Sequence, residues 1–221
     1  MQSKGTLYVV GTPIGNLSDI TERALETLKT VDLIACEDTR VTKKLLSNYS
    51  IDTPTISYHQ HSTDEKAGHI VSKLVDGASV ALVTDAGTPG ISDPGGKLVE
   101  VAIKADVTVV PIPGASAIAA ALSVCGFPTD KFTFLGFPPN KKGRKTYFEN
   151  IETIKQTVAL YESKHRIIKT LEQLPQDRTL IVGRELTKMH EHIYRGTAPE
   201  VIEQLNQTST KGEFVIVIAP R

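Results

Sequence analysis

The feature that most restricts this chain is an alternation. Short β-branched runs, "TLYVV", "DLIAC", "PTISY", "SVALVT" and "VTVVP", are separated along the first half by stretches with helical periodicity. Strands that alternate with helices build a parallel sheet with crossover helices, because a parallel neighbour is reached only by crossing a face of the sheet. The helices are expected to begin near Ser18, Thr39, Ser62 and Gly95, where the Ser and Thr hydroxyls satisfy the free N–H groups of a first turn. In the first helix Ile20, Ala24, Leu25 and Leu28 share one face.

Parallel strands end on a common edge, and ligands of such sheets bind there. Here each strand runs into an unusual loop: "GTPIGN", "EDTR", "HQH", "DAGTPGISDPG" and "PGAS" in order. No loop has the GxxxxGK[ST] pattern of a nucleoside triphosphate site, and "GTPIGN" lacks the GxGxxG spacing of a dinucleotide site. The remaining character is glycine-rich, acidic and hydroxylic, without Lys. It suits a ligand of mixed or positive charge, such as a sulfonium nucleoside, with backbone N–H groups for a carboxylate and Asp side chains for hydroxyls and cations. The plain alternative for "DAGTPGISDPG" is a rigid connection stiffened by Pro89 and Pro94. Five loaded loops on one edge weigh against it.

An Ala-rich helix, "PGASAIAAALSVCG", closes at Gly126, and the punctuation "FPTDK" sets the expected boundary between an α/β domain over residues 1–126 and another over 127–221. The second is expected to hold strands at "FTFLG", "TVALY", "TLIVG" and "FVIVI", with helices near 144–154, 165–174 and 198–206. A chain of 221 residues is long enough for two such cores. Lys and Arg equal Asp and Glu at 25 each, so no long-range field advertises a nucleic-acid or membrane partner. The one dense basic cluster is "KKGRK", with Lys141, Lys142, Arg144 and Lys145, which reads as a solvated loop or, with an RNA substrate, as a phosphate clamp. Cys36 and Cys125 lack CxxC spacing and read as buried thiols in a reducing compartment. "MQSKG" lacks the apolar core of a signal peptide and no apolar run approaches the roughly 18 residues that a membrane helix needs, so a soluble cytoplasmic protein is expected. The HxH pairs His59/His61 and His190/His192 read as loop and surface histidines, and no metal is expected.

Taken together, "LYVVGTPIGNLSDITERALETL", "DLIACEDTR", "LVTDAGTPGISDPG", "PIPGASAIAAAL", "FLGFPP", "YESKHR" and "GRELTKMHE" resemble, in order and spacing, the tetrapyrrole methylase superfamily. Within it they are most similar to the branch that methylates small-subunit ribosomal RNA. The resemblance runs from about Thr6 to the final strand. It implies two α/β domains with S-adenosylmethionine in the cleft between them, a homodimer, and methylation of the ribose 2′-hydroxyl of a cytidine in the decoding region of 16S rRNA. Carried over by motif, it places Pro13, Ile14, Asp85, Gly87, Thr88, Ile91, Ser116 and Ala117 beside the cofactor, with Tyr161, Arg184, Glu185 and Leu186 on its adenosine side. The sequence departs from that family's pattern at Lys164, where Pro is usual, and at "YHQHST", where an Asn-bearing segment is usual. Many members continue past the last strand into a small helical region, whereas this sequence ends at "IAPR".

Methyl transfer from a sulfonium is an in-line displacement that positioning can drive, although a ribose hydroxyl gains from a base and from a cation facing the developing oxyanion. Glu37, Asp38, Glu162 and His165 are the candidate carboxyl and imidazole groups, and Arg166, Arg184 and Lys188 the electrostatic partners. The expected assignment gives Glu162, His165 and Arg166 to catalysis. Arg40, Lys141, Lys142, Arg144, Lys145 and Lys188 go to RNA, with Arg166 as a further phosphate grip. Structural ion pairs, Glu37 with Arg40 or Glu162 with Arg166, are the competing reading. Rival functions are methylation of a small tetrapyrrole and a non-catalytic cofactor-binding module.

Overall fold

The structure, a computed structural model, describes residues 3–221. The chain divides after Ser116 into two compact units.

In the first unit, β1 (Thr6–Val10), β2 (Leu33–Cys36), β3 (Thr55–Ser57), β4 (Val80–Val83) and β5 (Thr108–Ile112) form one sheet in the order β3-β2-β4-β1-β5. Every pairing is parallel, as the alternation predicts. The crossovers are α1 (Glu22–Thr30), α2 (Thr39–Asn48), α3 (Asp64–Val75) and α4 (Gly96–Lys104). Side chains of β4 alternate between the faces. Val80 and Leu82 join Ile70 and Leu74 of α3 and Leu98 and Ala102 of α4, while Ala81 and Val83 join Ala24 and Leu28 of α1 and Leu46 of α2. Pro111 stands in β5, an edge strand, where a missing N–H costs least.

Helix starts fall close to expectation, with different capping residues. Ser18 lies in a 3-10 turn capped by Asn16, and α1 begins only after Thr21, whose hydroxyl accepts the Ala24 N–H at 3.1 Å. Asp38 caps α2, accepting the Arg40 N–H at 2.8 Å, and Thr63 caps α3. Gly95, at φ 141°, precedes α4 without a side-chain cap.

The second unit has β6 (Phe132–Phe134), β7 (Thr157–Ser163), β8 (Leu180–Arg184), β9 (His192–Gly196) and β10 (Glu213–Ile218) in the order β6-β7-β10-β8-β9. Only β6 and β7 are parallel, and the remaining pairings are antiparallel. On one face α6 (Arg144–Thr153), α7 (Ile167–Leu171) and α8 (Ala198–Gln207) cover a core containing Phe148, Ile151, Leu160, Leu171, Val182, Tyr194, Leu205 and Ile216. β9 is the strand that the apolar pattern misses. It is an edge strand with a single buried side chain, Tyr194, so it carries almost no hydrophobic signal.

The expected boundary after Gly126 differs from the observed division after Ser116. The Ala-rich helix α5 (Ala117–Ser123) packs on β7 and β10. Arg195 of β9 also donates to the carbonyls of Val124, at 2.6 Å, and Cys125, at 3.2 Å, just past its C-terminus. A guanidinium at that end satisfies orphan carbonyls and opposes the helix dipole.

Glu162, 1% exposed, sits under this sheet edge with both oxygens engaged. Oε1 accepts from the Ser163 N–H at 2.7 Å and pairs with Arg166 at 2.8 Å, and Oε2 accepts from Thr170 Oγ1 at 2.5 Å. The Thr170 hydroxyl in turn accepts from Arg144 Nη2 at 2.8 Å. Thr170→Val keeps the side-chain shape but strands one carboxylate oxygen and one guanidinium N–H. Urea unfolding is expected to show a loss of about 1–3 kcal/mol, and a change below a few tenths would remove this network from the stabilising interactions.

Candidate active site

Because the first sheet is wholly parallel, the loops after its five strands share one edge. Backbone contacts lock three of them together. Thr12 and Gly87 exchange N–H···O bonds of 2.9 and 3.1 Å, and the buried Thr12 hydroxyl donates to the Thr84 carbonyl at 3.1 Å. Gly11 and Gly114 approach so closely that a Cβ on Gly11 would stand 2.8 Å from Gly114 Cα. The loop after β4 turns through left-handed backbone at Gly87, Gly90, Ser92 and Gly95, which accounts for much of its glycine content.

Carboxyl groups dominate this edge. The Asp38 N–H donates to Asp85 Oδ1 at 3.0 Å, joining the loops after β2 and β4. Asp38 itself is held at about 2 by the Arg40 guanidinium, which donates to both of its oxygens at 2.6–3.2 Å. The other three acids shift the opposite way. Partial loss of water raises Glu37, with the Asp85 charge adding to it, and raises Asp85 despite the Asp38 N–H. Asp93 is exposed as a residue, but partial loss of water at its carboxyl, reinforced by the Glu37 and Asp85 charges, pushes it up to about 6. Within this cluster the Arg40 guanidinium pairs with Asp38.

The second unit also gathers its loops. β6 runs parallel to β7, and β8 does so through two antiparallel pairings with β10, so the loops after β6, β7 and β8 leave one edge. The loop after β8 is strained and fastened: Glu185 and Thr187 take φ of 50° and 69°. Glu185 Oε1 accepts the Glu213 N–H at 2.8 Å and Lys188 Nζ at 3.1 Å, and Lys188 also reaches Glu213 Oε2 at 2.8 Å. Lost hydration alone would raise Glu185, but the Glu213 N–H and Lys188 outweigh it and hold the carboxyl below its usual range. The Leu186 side chain lies over Gly183, where a Cβ would come within 3.0 Å of it.

Residues 6–202 match the description of the tetrapyrrole (corrin/porphyrin) methylases. The chain belongs to that family. It is 50% identical over 220 residues to ribosomal RNA small subunit methyltransferase I of Synechocystis, covering 97% of this chain and 79% of the relative. It is 47% identical to the protein of that name from Halalkalibacterium halodurans, covering 97% and 76%. Among solved structures, diphthine synthase superposes with TM-score 0.74 at 14% identity, covering 97% of this chain and 90% of that one. The cobalamin-biosynthetic cobalt precorrin-4 methyltransferase gives 0.68 at 17%, covering 97% and 94%. Those two likenesses show the fold.

Within this methylase fold the expected residues separate. On the first edge, Pro13 and Gly87 are buried, Ile14 and Thr88 half-buried, Asp85 exposed, and Ile91 exposed at 46%. Ser116 and Ala117 stand where the chain passes from one unit to the next. On the second edge are Tyr161, Arg184, Glu185 and Leu186, with Arg184 Nε donating to the Lys211 carbonyl at 2.6 Å.

Four of the charged candidates are engaged within the fold. Glu162 is buried with both oxygens already in hydrogen bonds or an ion pair, and Arg166 is bound to Glu162, Ser163, Pro138 and Asn140. Arg144 is 6% exposed and donates to Pro139, Gln173 and Thr170. Lys188 is tied to two carboxylates. By contrast, His165, Lys141, Lys142 and Lys145 are exposed, Lys145 with Glu149 at 3.7 Å. Arg40 is exposed, and its partner is Asp38 rather than Glu37. His61 N–H donates to His59 Nδ1 at 3.2 Å, and among the described residues no group of three metal-ligating side chains converges. No described helix is long and apolar enough to cross a membrane. Asp93 is a residue that the sequence reading did not single out, since its raised carboxyl comes first from local desolvation and then from Glu37 and Asp85, which the fold brings near it.

Because the native Asp93 keeps its proton up to about 6 while an unfolded one releases it near 3.8, the native state binds more protons between these values. Stability is therefore expected to fall as pH rises through that window. Asp93→Asn should flatten this slope, and carboxyl-carbon NMR should give a midpoint near 6 that moves down in Glu37→Gln. A midpoint at the ordinary carboxylate value would refute the clustered arrangement.

Proposed function

We propose that this chain is an S-adenosylmethionine-dependent methyltransferase of small-subunit ribosomal RNA, acting on the ribose 2′-hydroxyl of a cytidine in the decoding region of 16S rRNA. The observation that carries the reading is near-half identity, across almost the whole chain, to relatives bearing the RNA methyltransferase name, whereas the cobalt precorrin-4 methyltransferase shares the fold at 17%. The assembled small subunit as substrate and a homodimer as the working form belong to the same reading.

The first edge suits the cofactor. Lost hydration and mutual repulsion raise Glu37, Asp85 and Asp93 even with Arg40 and His59 nearby, which disfavours an anionic ligand and favours one carrying a sulfonium and an ammonium. The close approach of Gly11 to Gly114 and the left-handed turns at Gly87 and Gly90 bring backbone donors and acceptors to the same place. S-adenosylmethionine supplies an electrophilic methyl group when bound. Pro13, Ile14, Gly87, Thr88 and Ile91 shape its seat, and Asp85 and Asp93 supply the facing charge.

Proton removal from the acceptor hydroxyl falls to His165, because Glu162 is consumed as a brace. The imidazole is exposed on the turn after β7, and the buried Glu162–Arg166 pair beneath fixes that turn.

The test is incubation with methyl-labelled S-adenosylmethionine and small subunits lacking the modification, followed by nuclease digestion and nucleoside analysis. Label is expected in 2′-O-methylcytidine. Label in a methylated base would overturn the acceptor, and no label in RNA the substrate. His165→Ala should lower kcat at least about tenfold with cofactor affinity retained, and wild-type turnover would take the proton-acceptor role from His165.

A further inference from the structure

The loop after β6, "GFPPN", is held harder than its length requires. The Gly136 carbonyl accepts the Tyr161 N–H at 3.0 Å, the Pro138 carbonyl accepts from Arg166 Nη1 at 2.8 Å, and the Pro139 carbonyl accepts from Arg144 Nη1 at 3.0 Å. Arg166 also binds the Asn140 side chain. Both guanidinium groups are themselves fixed through Glu162 and Thr170. Yet the residue that this loop presents, Phe137, is 51% exposed. Its ring lies 5.4 Å from that of Tyr161, tilted by 47°, and Tyr161 meets Phe134 edge-on at 5.2 Å.

A lone exposed apolar side chain is ordinary on a protein surface. Here the ring is backed by two further aromatics and the backbone on either side is pinned, so little freedom is left to lose when a flat ligand lands on it. Cations surround it. Lys141 and Lys142 follow directly in sequence, exposed and outside every ion pair among the described residues. The Arg166 bonds to Pro138 and Asn140 bring up the turn that carries the exposed Lys164 and His165. A rigid aromatic face beside unpaired ammonium groups is the combination that takes single-stranded nucleic acid, one base stacking while its phosphates meet the cations.

We propose that Phe137 is a stacking platform for an unpaired base of the RNA substrate, with Lys141 and Lys142 taking the adjoining phosphates. This deepens the RNA reading above and rests on it. The platform positions the nucleotide strand near His165 and takes no part in bond making. It also gives Arg144 and Arg166 a role in RNA binding without RNA contact, since they hold the loop that carries the ring.

Two measurements on wild type, Phe137→Leu and Phe137→Trp decide it. The first is quenching of a single-stranded RNA oligonucleotide carrying 2-aminopurine, together with calorimetric S-adenosylmethionine binding. The second is KM for unmodified small subunits. Phe137→Leu is expected to abolish the quenching and raise KM about tenfold, Phe137→Trp to restore both, and cofactor affinity to stay unchanged throughout. Equal quenching and KM in wild type and Phe137→Leu would overturn the platform while leaving the methyltransferase reading intact. Lost cofactor affinity in Phe137→Leu would overturn it by assigning the ring to the adenine. Wild type that quenches the probe but methylates no subunit would sustain the platform and refute the substrate.

Discussion

A carboxylate sealed under the second sheet edge governs much of what surrounds it. Removing a charged group from water costs several kcal/mol unless it is paired and fully hydrogen-bonded, and Glu162 meets that demand by recruiting Arg166, Thr170 and the Ser163 N–H. Once recruited, the same groups organise their neighbours. Arg166 fixes the loop after β6, and Thr170 fixes Arg144, which holds the same loop from the other side. Three charged residues that looked like chemistry or RNA contact thus form a frame that holds the loop after β6.

The two units reach comparable ends by different physics. The first builds its edge from backbone, with Thr12 and Gly87 exchanging hydrogen bonds and Gly11 touching Gly114, so its side chains are left to set the electrical character of the site. The second builds its edge from buried ions and from strained backbone at Glu185 and Thr187. Loops fixed by backbone leave strong marks in composition, namely glycine and proline. Loops fixed by side-chain ions leave marks that read equally well as catalytic groups.

That difference explains what the sequence made legible. The five parallel strands, their loaded loops and the helices of the first unit follow from periodicity and punctuation, and the structure retains them. The motifs sufficed for the family and for the methyl donor, because "EDTR", "DAGTPGISDPG" and "GRELTK" each encode local geometry. Burial was not legible. Nothing within "KKGRK" marks Arg144 as the member that turns inward, since its partners Gln173 and Thr170 lie in a later helical segment. Likewise β9 has one buried residue, and its place depends on pairing with β8 rather than on its own composition.

The helix α5 carries a practical lesson about taking the protein apart. The punctuation at "FPTDK" invites a cut after Gly126, yet α5 lies against β7 and β10, and Arg195 grips the chain just beyond its end. Strands β7 and β10 bury Ala159, Val215 and Val217 on the face opposite the main core. A fragment starting at residue 127 loses its helical cover over those strands and leaves the Arg195 guanidinium without its carbonyls. A fragment starting at Ala117 keeps both. The joint at which this polypeptide divides is therefore set by which sheet a helix dresses, and the conspicuous break in the letters lies inside the second piece.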